Sequence, residues 1–194
     1  MGNALKGKVV LVTGAGKGRG REVASLFAQQ GAIVAANDIS PVNLDETAAT
    51  IRAGGGQVKT YVEDVSKKMM IQGLLTRVVD EFERIDVLVC CAEVEPQKSI
   101  LEMDDWDWQR VLDVNLSGAF LLIQSTGRIM KEKGGGNIIL MKEQAHGTEG
   151  KAAYLASKAG LAALVRTATG ELVPFGVKVH LVERAEQAVE AVKG

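Results

Sequence analysis

The chain is poor in several features that would place it in other classes of protein. Its 194 residues include two cysteines, three prolines and 4% aromatic residues. No apolar run approaches the length of a membrane span, and the opening residues MGNALKGK contain no apolar segment of signal-peptide length. Acidic and basic residues, 24 and 23, are interspersed, so no basic stripe suggests a nucleic-acid partner. We expect a cytoplasmic protein with no membrane or nucleic-acid partner.

The few thiols and imidazoles are poorly placed for a disulfide or a metal site. Cys90 and Cys91 are adjacent on a predicted strand, so their side chains point to opposite faces and suit reduced, packed thiols. His146 and His180 lie near no other cluster of ligand-type residues. We therefore expect no bound metal.

Alternating apolar segments predict one α/β domain over residues 1–194. With 46% hydrophobic and 24% charged residues, a chain of this length can bury a sizeable core. The predicted strands are 9–13, 32–38, 57–65, 85–93, 137–141 and 177–182. The predicted helices are 21–31, 42–53, 67–84, 104–133 and 152–172, before a short amphipathic end over 183–194. This alternation predicts βαβ units, and hence a parallel sheet with right-handed crossovers.

The stretch KVVLVTGAGKGRG, from Lys8 to Gly20, predicts a nucleotide site. An apolar strand enters a loop, and a helical pattern begins directly after it. The loop glycines are Gly14, Gly16, Gly18 and Gly20. Such a loop brings backbone N–H groups and the positive end of a helix dipole to one point, where a phosphate can bind. The spacing is not the common G-x-G-x-x-G fingerprint, and glycine clusters also form ordinary surface turns.

Asp38 ends the second predicted strand and is a candidate ribose ligand. About twenty residues beyond the glycine loop, a dinucleotide fold places a carboxylate that hydrogen-bonds the ribose hydroxyls of adenosine. Its charge would repel a 2′-phosphate, which favours NAD over NADP. Lys17 and Arg19 in the loop could instead meet such a phosphate. The alternative role for Asp38 is a helix cap near Ser40 and Pro41.

Tyr154 and Lys158, in YLASK, are four residues apart on a predicted helix and so share a face. A tyrosine with a pKa of about 10 is a poor acid or base at neutral pH, and a nearby ammonium lowers that pKa by stabilising the phenolate. The phenol can then exchange a proton with a carbonyl or alcohol oxygen while a nicotinamide transfers hydride. Taken alone, the pair could equally be solvated on a helix surface.

The loop TGAGKGRG, Asp38, Asp64, Asn115 in DVNLSGAF, and the YLASK pair follow one another in a fixed order. This ordered set resembles the short-chain dehydrogenase/reductase family from about residue 5 to 183. The resemblance implies a Rossmann-like doubly wound parallel sheet of strand order 3-2-1-4-5-6, with helices on both faces and without the family's last strand. It also implies hydride transfer between a nicotinamide cofactor and a secondary alcohol or ketone.

The same resemblance implies the roles of individual residues. The cofactor-binding residues would be Gly14, Gly18, Arg19, Gly20, Asp38, Asp64, Val65, Ala92, Tyr154 and Lys158. The three glycines would hold the pyrophosphate, and Asp64 would meet the adenine unless it is a helix cap. Asn115 would distort its helix and hold a water in a proton relay. Tyr154 would be the catalytic acid/base, and Lys158 would bind the nicotinamide ribose and tune the tyrosine.

The chain departs from the family pattern after its fourth strand. That strand runs into Cys90, Cys91, Ala92 and Glu93, where a motif like NNAG is typical. Glycine lets the backbone approach the cofactor, so Glu93 puts bulk and negative charge near a dianionic ligand. We expect weaker cofactor binding as a result.

Further departures follow the fifth and sixth strands. Where the family has a serine for the substrate oxygen, this chain has Met141, Lys142, Glu143 and Gln144. Lys142 or Gln144 could donate the missing hydrogen bond, or both could be solvated loop residues. After the sixth strand a proline–glycine pair and a threonine-containing segment are typical, whereas this chain has Glu183, Arg184 and Ala185 and then stops before the family's substrate-covering helices.

These patterns leave two functions open. One is an NAD-preferring dehydrogenase of low activity, since losing one hydrogen-bond donor to a developing oxyanion costs roughly a hundredfold or more. The other is a catalytically inactive binding or assembly subunit, and the chain could also be an altered version of a longer enzyme. Surplus apolar positions over 104–133 predict a homodimer or homotetramer through that segment and the helix at 152–172.

Overall fold

Six short segments rich in β-branched and apolar residues form one parallel sheet. The computed structural model describes residues 4–142 and 147–193. The strands are β1 (Val9–Thr13), β2 (Ile33–Asp38), β3 (Gln57–Val62), β4 (Val87–Cys90), β5 (Gly136–Met141) and β6 (Val177–Val182). Their order, β3-β2-β1-β4-β5-β6, confirms the predicted topology.

The helices cover both faces of this sheet. They are α1 (Gly18–Gln29), α2 (Pro41–Ala53), α3 (Lys68–Phe82), α4 (Asp105–Leu112), α5 (Ala119–Glu132), α6 (Ala152–Leu172) and α7 (Ala185–Lys193). Because side chains alternate along a strand, β1 supplies both cores. Leu11 packs in the core shared with α3, α5 and α6, whereas Val10 and Val12 pack in the core shared with α1, α2 and α7.

The predicted helix over 104–133 is divided in the structure. A π-helical segment, Asp113–Gly118, joins α4 to α5 and has the buried Asn115 at its centre. This agrees with the expected local distortion at Asn115. A wider turn of this kind inserts an extra residue and turns side chains out of the ordinary helical register.

Strand β4 is shorter than predicted, because its neighbour ends at the same level. Thr13, the last residue of β1, pairs with Cys90, and the Cys91 N–H still reaches the Thr13 carbonyl at 3.2 Å. Beyond that bond β1 offers no further strand residue, and the chain leaves the sheet before Glu93. The crevice at the carboxyl ends of β1 and β4 is where strand order reverses, which is the usual ligand position in doubly wound sheets.

The adjacent thiols lie on opposite faces, as expected. Cys90 packs against one core and Cys91 against the other, and both are free. Burial raises the pKa of both thiols, that of Cys91 to about 12, so both stay protonated at neutral pH.

The described ranges contain neither a cluster of metal ligands nor a membrane-spanning helix. Within residues 4–142 and 147–193, no three His, Cys, Asp or Glu side chains converge as metal ligands would. None of the helices in those ranges is both long and apolar enough to cross a membrane.

Candidate active site

The glycine loop is packed so tightly that two of its positions admit no side chain. Gly14 has φ +66°, and a Cβ there would lie 2.6 Å from the backbone of Ala92. A Cβ on Gly20 would lie 2.0 Å from the Gly14 carbonyl oxygen. The loop therefore folds back on itself and touches the chain leaving β4.

Helix α1 begins inside this loop with uncapped N–H groups. Its N-cap residue, Lys17, makes no side-chain capping bond, and the first turn carries no acidic residue. The first N–H groups of a helix lack intrahelical acceptors and carry the positive end of the dipole. An anionic ligand such as a diphosphate suits this position.

Asp38 is held at the mouth of the loop by two backbone N–H groups. Its Oδ2 accepts from Gly16 at 2.9 Å, and its Oδ1 accepts from Ser40 at 3.0 Å. The cap of α2 is Ser40, whose hydroxyl accepts from Asn43 N–H at 3.3 Å. The helix-cap alternative for Asp38 is therefore wrong, and its carboxylate lies on the cavity wall.

Asp64 likewise is not a helix cap. Its Oδ1 accepts from the Ser66 N–H at 2.9 Å, which closes a turn before Lys67, the N-cap of α3. Both Asp64 and Val65 line the same cavity as Asp38.

Asn37 is a cavity residue that sequence reasoning missed. Its Nδ2 donates to the carbonyls of Tyr61, at 3.1 Å, and Glu63, at 3.0 Å, while its buried Oδ1 has no hydrogen-bond partner. A buried acceptor without a donor costs free energy, and because this oxygen is shielded from solvent it is not open to a ligand in the cavity. The sequence signal available was an amide directly before the candidate ribose ligand.

The cavity at the carboxyl edge of the sheet has a volume of about 600 Å³, within the range of small-molecule sites. It is lined by eight of the predicted cofactor residues: Gly14, Gly18, Arg19, Gly20, Asp38, Asp64, Val65 and Ala92. Ile39 and Trp106, both about two-thirds exposed, flank it, and the Arg110 guanidinium lies 5.1 Å from the Trp106 ring centroid. Tyr154, Lys158 and Asn115 do not line this cavity.

Tyr154 and Lys158 lie on one face of α6, as predicted, but both are buried. The Lys158 ammonium lies 5.3 Å from the Tyr154 ring centroid and donates to the Met141 carbonyl at 3.1 Å. It also forms an ion pair of 2.7 Å with Glu93. The Tyr154 hydroxyl lies 3.4 Å from the same Glu93 oxygen.

Glu93 links this pair to the glycine loop. One guanidinium nitrogen of Arg19 contacts both Glu93 oxygens, at 2.9 and 3.1 Å, and the other donates to the Lys142 carbonyl at 2.8 Å. Burial acts to raise the pKa of Glu93, but Lys158 and Arg19 outweigh it, so that pKa is lowered. Arg19 was expected to assist phosphate binding, and in the structure its guanidinium is bonded to this carboxylate instead.

The electrostatics around Tyr154 are opposite to those expected from its lysine neighbour. Burial raises the pKa of Tyr154, and the Glu93 carboxylate raises it further. The expectation of a lowered value assumed an uncompensated ammonium. Because burial and the nearby Glu93 carboxylate both disfavour the phenolate, the phenol stays protonated throughout the neutral range.

Asn115 ties the segment after β4 to α6. Its Oδ1 accepts from the Val94 N–H at 2.9 Å, and its Nδ2 donates to the Val94 carbonyl at 3.0 Å and the Ser157 hydroxyl at 3.2 Å. The Ser157 hydroxyl in turn donates to the Tyr154 carbonyl at 2.6 Å. In this structure the amide fixes the Glu93 loop relative to the tyrosine.

Part of the region where the family's serine would stand is described. The Lys142 ammonium forms an ion pair of 2.9 Å with Glu183, which lies after β6. Glu143 and Gln144 lie outside the described residues, so the hydrogen-bond donor expected from Gln144 stays a prediction.

A doubly wound parallel sheet with a glycine loop and a carboxylate at its switch point defines a Rossmann-like fold. The family model described as short chain dehydrogenase matches residues 8–190. The chain belongs to the short-chain dehydrogenase/reductase family, a family of oxidoreductases acting on small molecules.

Two curated relatives illustrate the sequence similarity. The 3-oxoacyl-[acyl-carrier-protein] reductase FabG of Thermotoga maritima is 36% identical over 180 residues, which are 92% of this chain and 73% of the relative. D-threitol dehydrogenase of Mycolicibacterium smegmatis is 37% identical over 180 residues, with 92% and 69% covered.

Two solved structures illustrate the structural similarity. A metagenomic short-chain oxidoreductase in complex with NADP has a TM-score of 0.91 and 30% identity, covering 97% of this chain and 90% of its own. NAD⁺-bound xylitol dehydrogenase has a TM-score of 0.88 and 31% identity, covering 92% and 70%. One of these neighbours thus binds NADP, and the other binds NAD⁺.

Proposed function

We propose that this chain is an NAD(P)-dependent oxidoreductase for a secondary alcohol or ketone, with Tyr154 as its acid/base. The observation that carries the proposal is the meeting of the glycine loop and the α6 pair at one carboxylate. Glu93 bonds Arg19 of the loop on one side and Lys158 on the other. The nucleotide loop and the proton-transfer pair therefore belong to one site.

The residues on the β1–β3 side fit the adenosine part of a dinucleotide. The loop at Gly14 and Gly20 leaves room for no side chain, no side chain caps the first N–H groups of α1, and the Asp38 carboxylate lies on the cavity wall. The negative charge of Asp38 favours ribose hydroxyls over a 2′-phosphate, so NAD is the preferred cofactor. When bound, the nicotinamide would supply the hydride acceptor or donor.

Catalysis requires a rearrangement of Glu93. While Glu93 holds Lys158, the Tyr154 phenol is a weak acid and the ammonium is not available to a ribose hydroxyl. We expect slow turnover for this reason. Asn115 acts here by fixing the Glu93 loop against α6.

A second candidate function is a non-catalytic subunit of the same fold. It is favoured by the Glu93–Lys158 ion pair, since that bond neutralises the group on which proton transfer depends. Assembly into a homodimer or homotetramer through 104–133 and α6 is a proposal of the same kind. It is supported by the exposure of Trp108 and Phe120.

Cytoplasmic location also stays a prediction.

Turnover of NADH with generic ketones separates the two candidates. We expect slow, measurable turnover that falls by about a hundredfold or more in Tyr154→Phe, as general acid–base catalysis typically contributes that much. The matched control is Tyr61→Phe. Tyr61 lies on β3 outside the cavity, and its hydroxyl donates to Glu81 at 3.0 Å. Turnover unchanged by Tyr154→Phe would exclude its role as acid/base, and nucleotide binding with no turnover would favour the non-catalytic subunit.

A further inference from the structure

The two sides of the switch point offer different space to a ligand. In a doubly wound fold the dinucleotide lies across the crevice, with one nucleoside over the strands on each side of the reversal. Here those sides are β1-β2-β3 and β4-β5-β6. The cavity wall includes Asn37 and Asp38 at the end of β2, Asp64 after β3, and residues 91–94 after β4 with Glu93 among them, whereas Tyr154 and Lys158 do not line it.

The β4–β6 side is closed by the chain's own carboxylate. Glu93 takes four contacts of hydrogen-bond or ion-pair length: two from Arg19, at 2.9 and 3.1 Å, one from Lys158 at 2.7 Å and one from Tyr154 at 3.4 Å. The polar groups facing that half of the crevice are therefore already bonded to one another.

The cations that could attract a ligand into the closed half are also compensated. Lys158 is buried with Glu93 and the Met141 carbonyl as its partners, and Arg19 bonds Glu93 and the Lys142 carbonyl. A group entering this half must displace Glu93 and so break a partly buried ion pair, which costs free energy. The open half requires no such step, since no side chain caps the first N–H groups of α1.

The structure assigns the open cavity to a nucleoside 5′-diphosphate, with Glu93 occupying the place of the second nucleoside. The inference rests on the proposed function, because it uses the same nucleotide loop. It predicts that the chain binds a nucleoside diphosphate at least as tightly as the whole dinucleotide, which reverses the usual order of affinity. The whole dinucleotide binds only the fraction of molecules in which Glu93 has moved, so its apparent affinity is reduced by that fraction. The diphosphate nucleoside binds without that reduction.

Calorimetric titration of the full chain with ADP and with NADH tests this. In the unaltered protein we expect the Kd for ADP to equal or fall below that for NADH. In Glu93→Gly the ratio of the ADP Kd to the NADH Kd should rise at least tenfold. Taking the ratio within each protein cancels the effect of a freed Arg19 on the shared diphosphate.

Two further variants keep the test interpretable. Glu93→Gln removes the charge and keeps most of the bulk, so it serves if Glu93→Gly does not fold, and we expect a smaller rise in the same ratio. Glu95→Gln is the matched control, since Glu95 pairs with Lys151 at 2.6 Å and does not line the cavity. Its ratio should stay that of the unaltered protein.

The outcomes separate this inference from the proposed function. NADH bound tenfold more tightly than ADP by the unaltered chain, or a ratio unmoved by both Glu93 variants, overturns the inference and leaves the dehydrogenase proposal standing. The expected ratios combined with no NADH turnover in any variant support the inference and remove the dehydrogenase proposal. Binding of neither ligand overturns the inference together with the nucleotide site.

Discussion

The two halves of the crevice differ in what their polar groups are bonded to. On the β1–β3 side, Asp38 is bonded only to backbone N–H groups of its own turn and loop, and the Asn37 Oδ1 is unpaired. On the β4–β6 side, Lys158 and Arg19 converge on Glu93. One half is therefore ready for a ligand and the other has an internal substitute for one. Family membership fixes the scaffold of both halves, and in our proposal the side chain at position 93 decides whether the second is open.

The largest effect is expected from adding a side chain at Gly20, the most tightly packed glycine of the loop. Gly20→Val would place side-chain atoms where even a Cβ lies 2.0 Å from the Gly14 carbonyl oxygen. The loop must shift, and we expect the Kd for ADP, measured by calorimetry, to rise by at least about a hundredfold, or roughly 2.7 kcal/mol. Gly73→Ala is the control, because a Cβ there meets nothing within 4 Å on α3. Equal ADP affinity in Gly20→Val would place the nucleotide elsewhere.

A smaller effect is expected from removing the charge of the open half. Asp38→Asn keeps the size of the side chain and removes the repulsion of a 2′-phosphate. We expect the preference for NADH over NADPH, taken as the ratio of their Kd values, to fall by about tenfold, or roughly 1.4 kcal/mol. Asp45→Asn, on an exposed position of α2, makes the same charge change away from the site. A preference that survives Asp38→Asn would contradict the role given to this carboxylate.

The smallest effect concerns the stability of the closed half against acid. Because the pKa of Glu93 is lowered by Lys158 and Arg19, the ionised carboxylate stabilises the folded state above its ordinary pKa of about 4.5. That stabilisation is lost as the pH falls from about 4.5 through the lower folded value. Urea unfolding should therefore show a steeper fall in stability below pH 4.5 for the unaltered chain than for Glu93→Gln. Parallel curves would show that Glu93 is not paired in solution, and Glu95→Gln again serves as control.

Much of the fold follows from patterns that are local in the chain. Runs such as VVLVT and NIILM, separated by helical periodicity, predict the strands and their parallel order, because short crossovers and right-handed βαβ units leave few alternatives. The distortion at Asn115 was expected from the family resemblance. One cavity is lined by the glycine loop, Asp38, Asp64 and Val65, because the carboxyl ends of parallel strands share an edge.

The charge balance of the site could not be predicted in this way. Glu93 was expected to disturb a cofactor, but its partners lie 74 residues before it, at Arg19, and 65 residues after it, at Lys158, and no local pattern links them. Assigning a lowered pKa to Tyr154 treated Lys158 as its only charged neighbour. The side-chain directions that bring these three distant charges together depend on tertiary packing. The unpaired Asn37 Oδ1 likewise depends on tertiary packing.

The closure of this half of the crevice depends on one position, and that has a consequence for how the chain can change. Glutamate and glycine codons differ by a single base, so the occluded and the open pocket are neighbours in sequence space. Arg19 and Lys158, the cations that pair with Glu93, are already part of this chain. The proposed occlusion therefore implies that a single substitution would open the pocket to a dinucleotide.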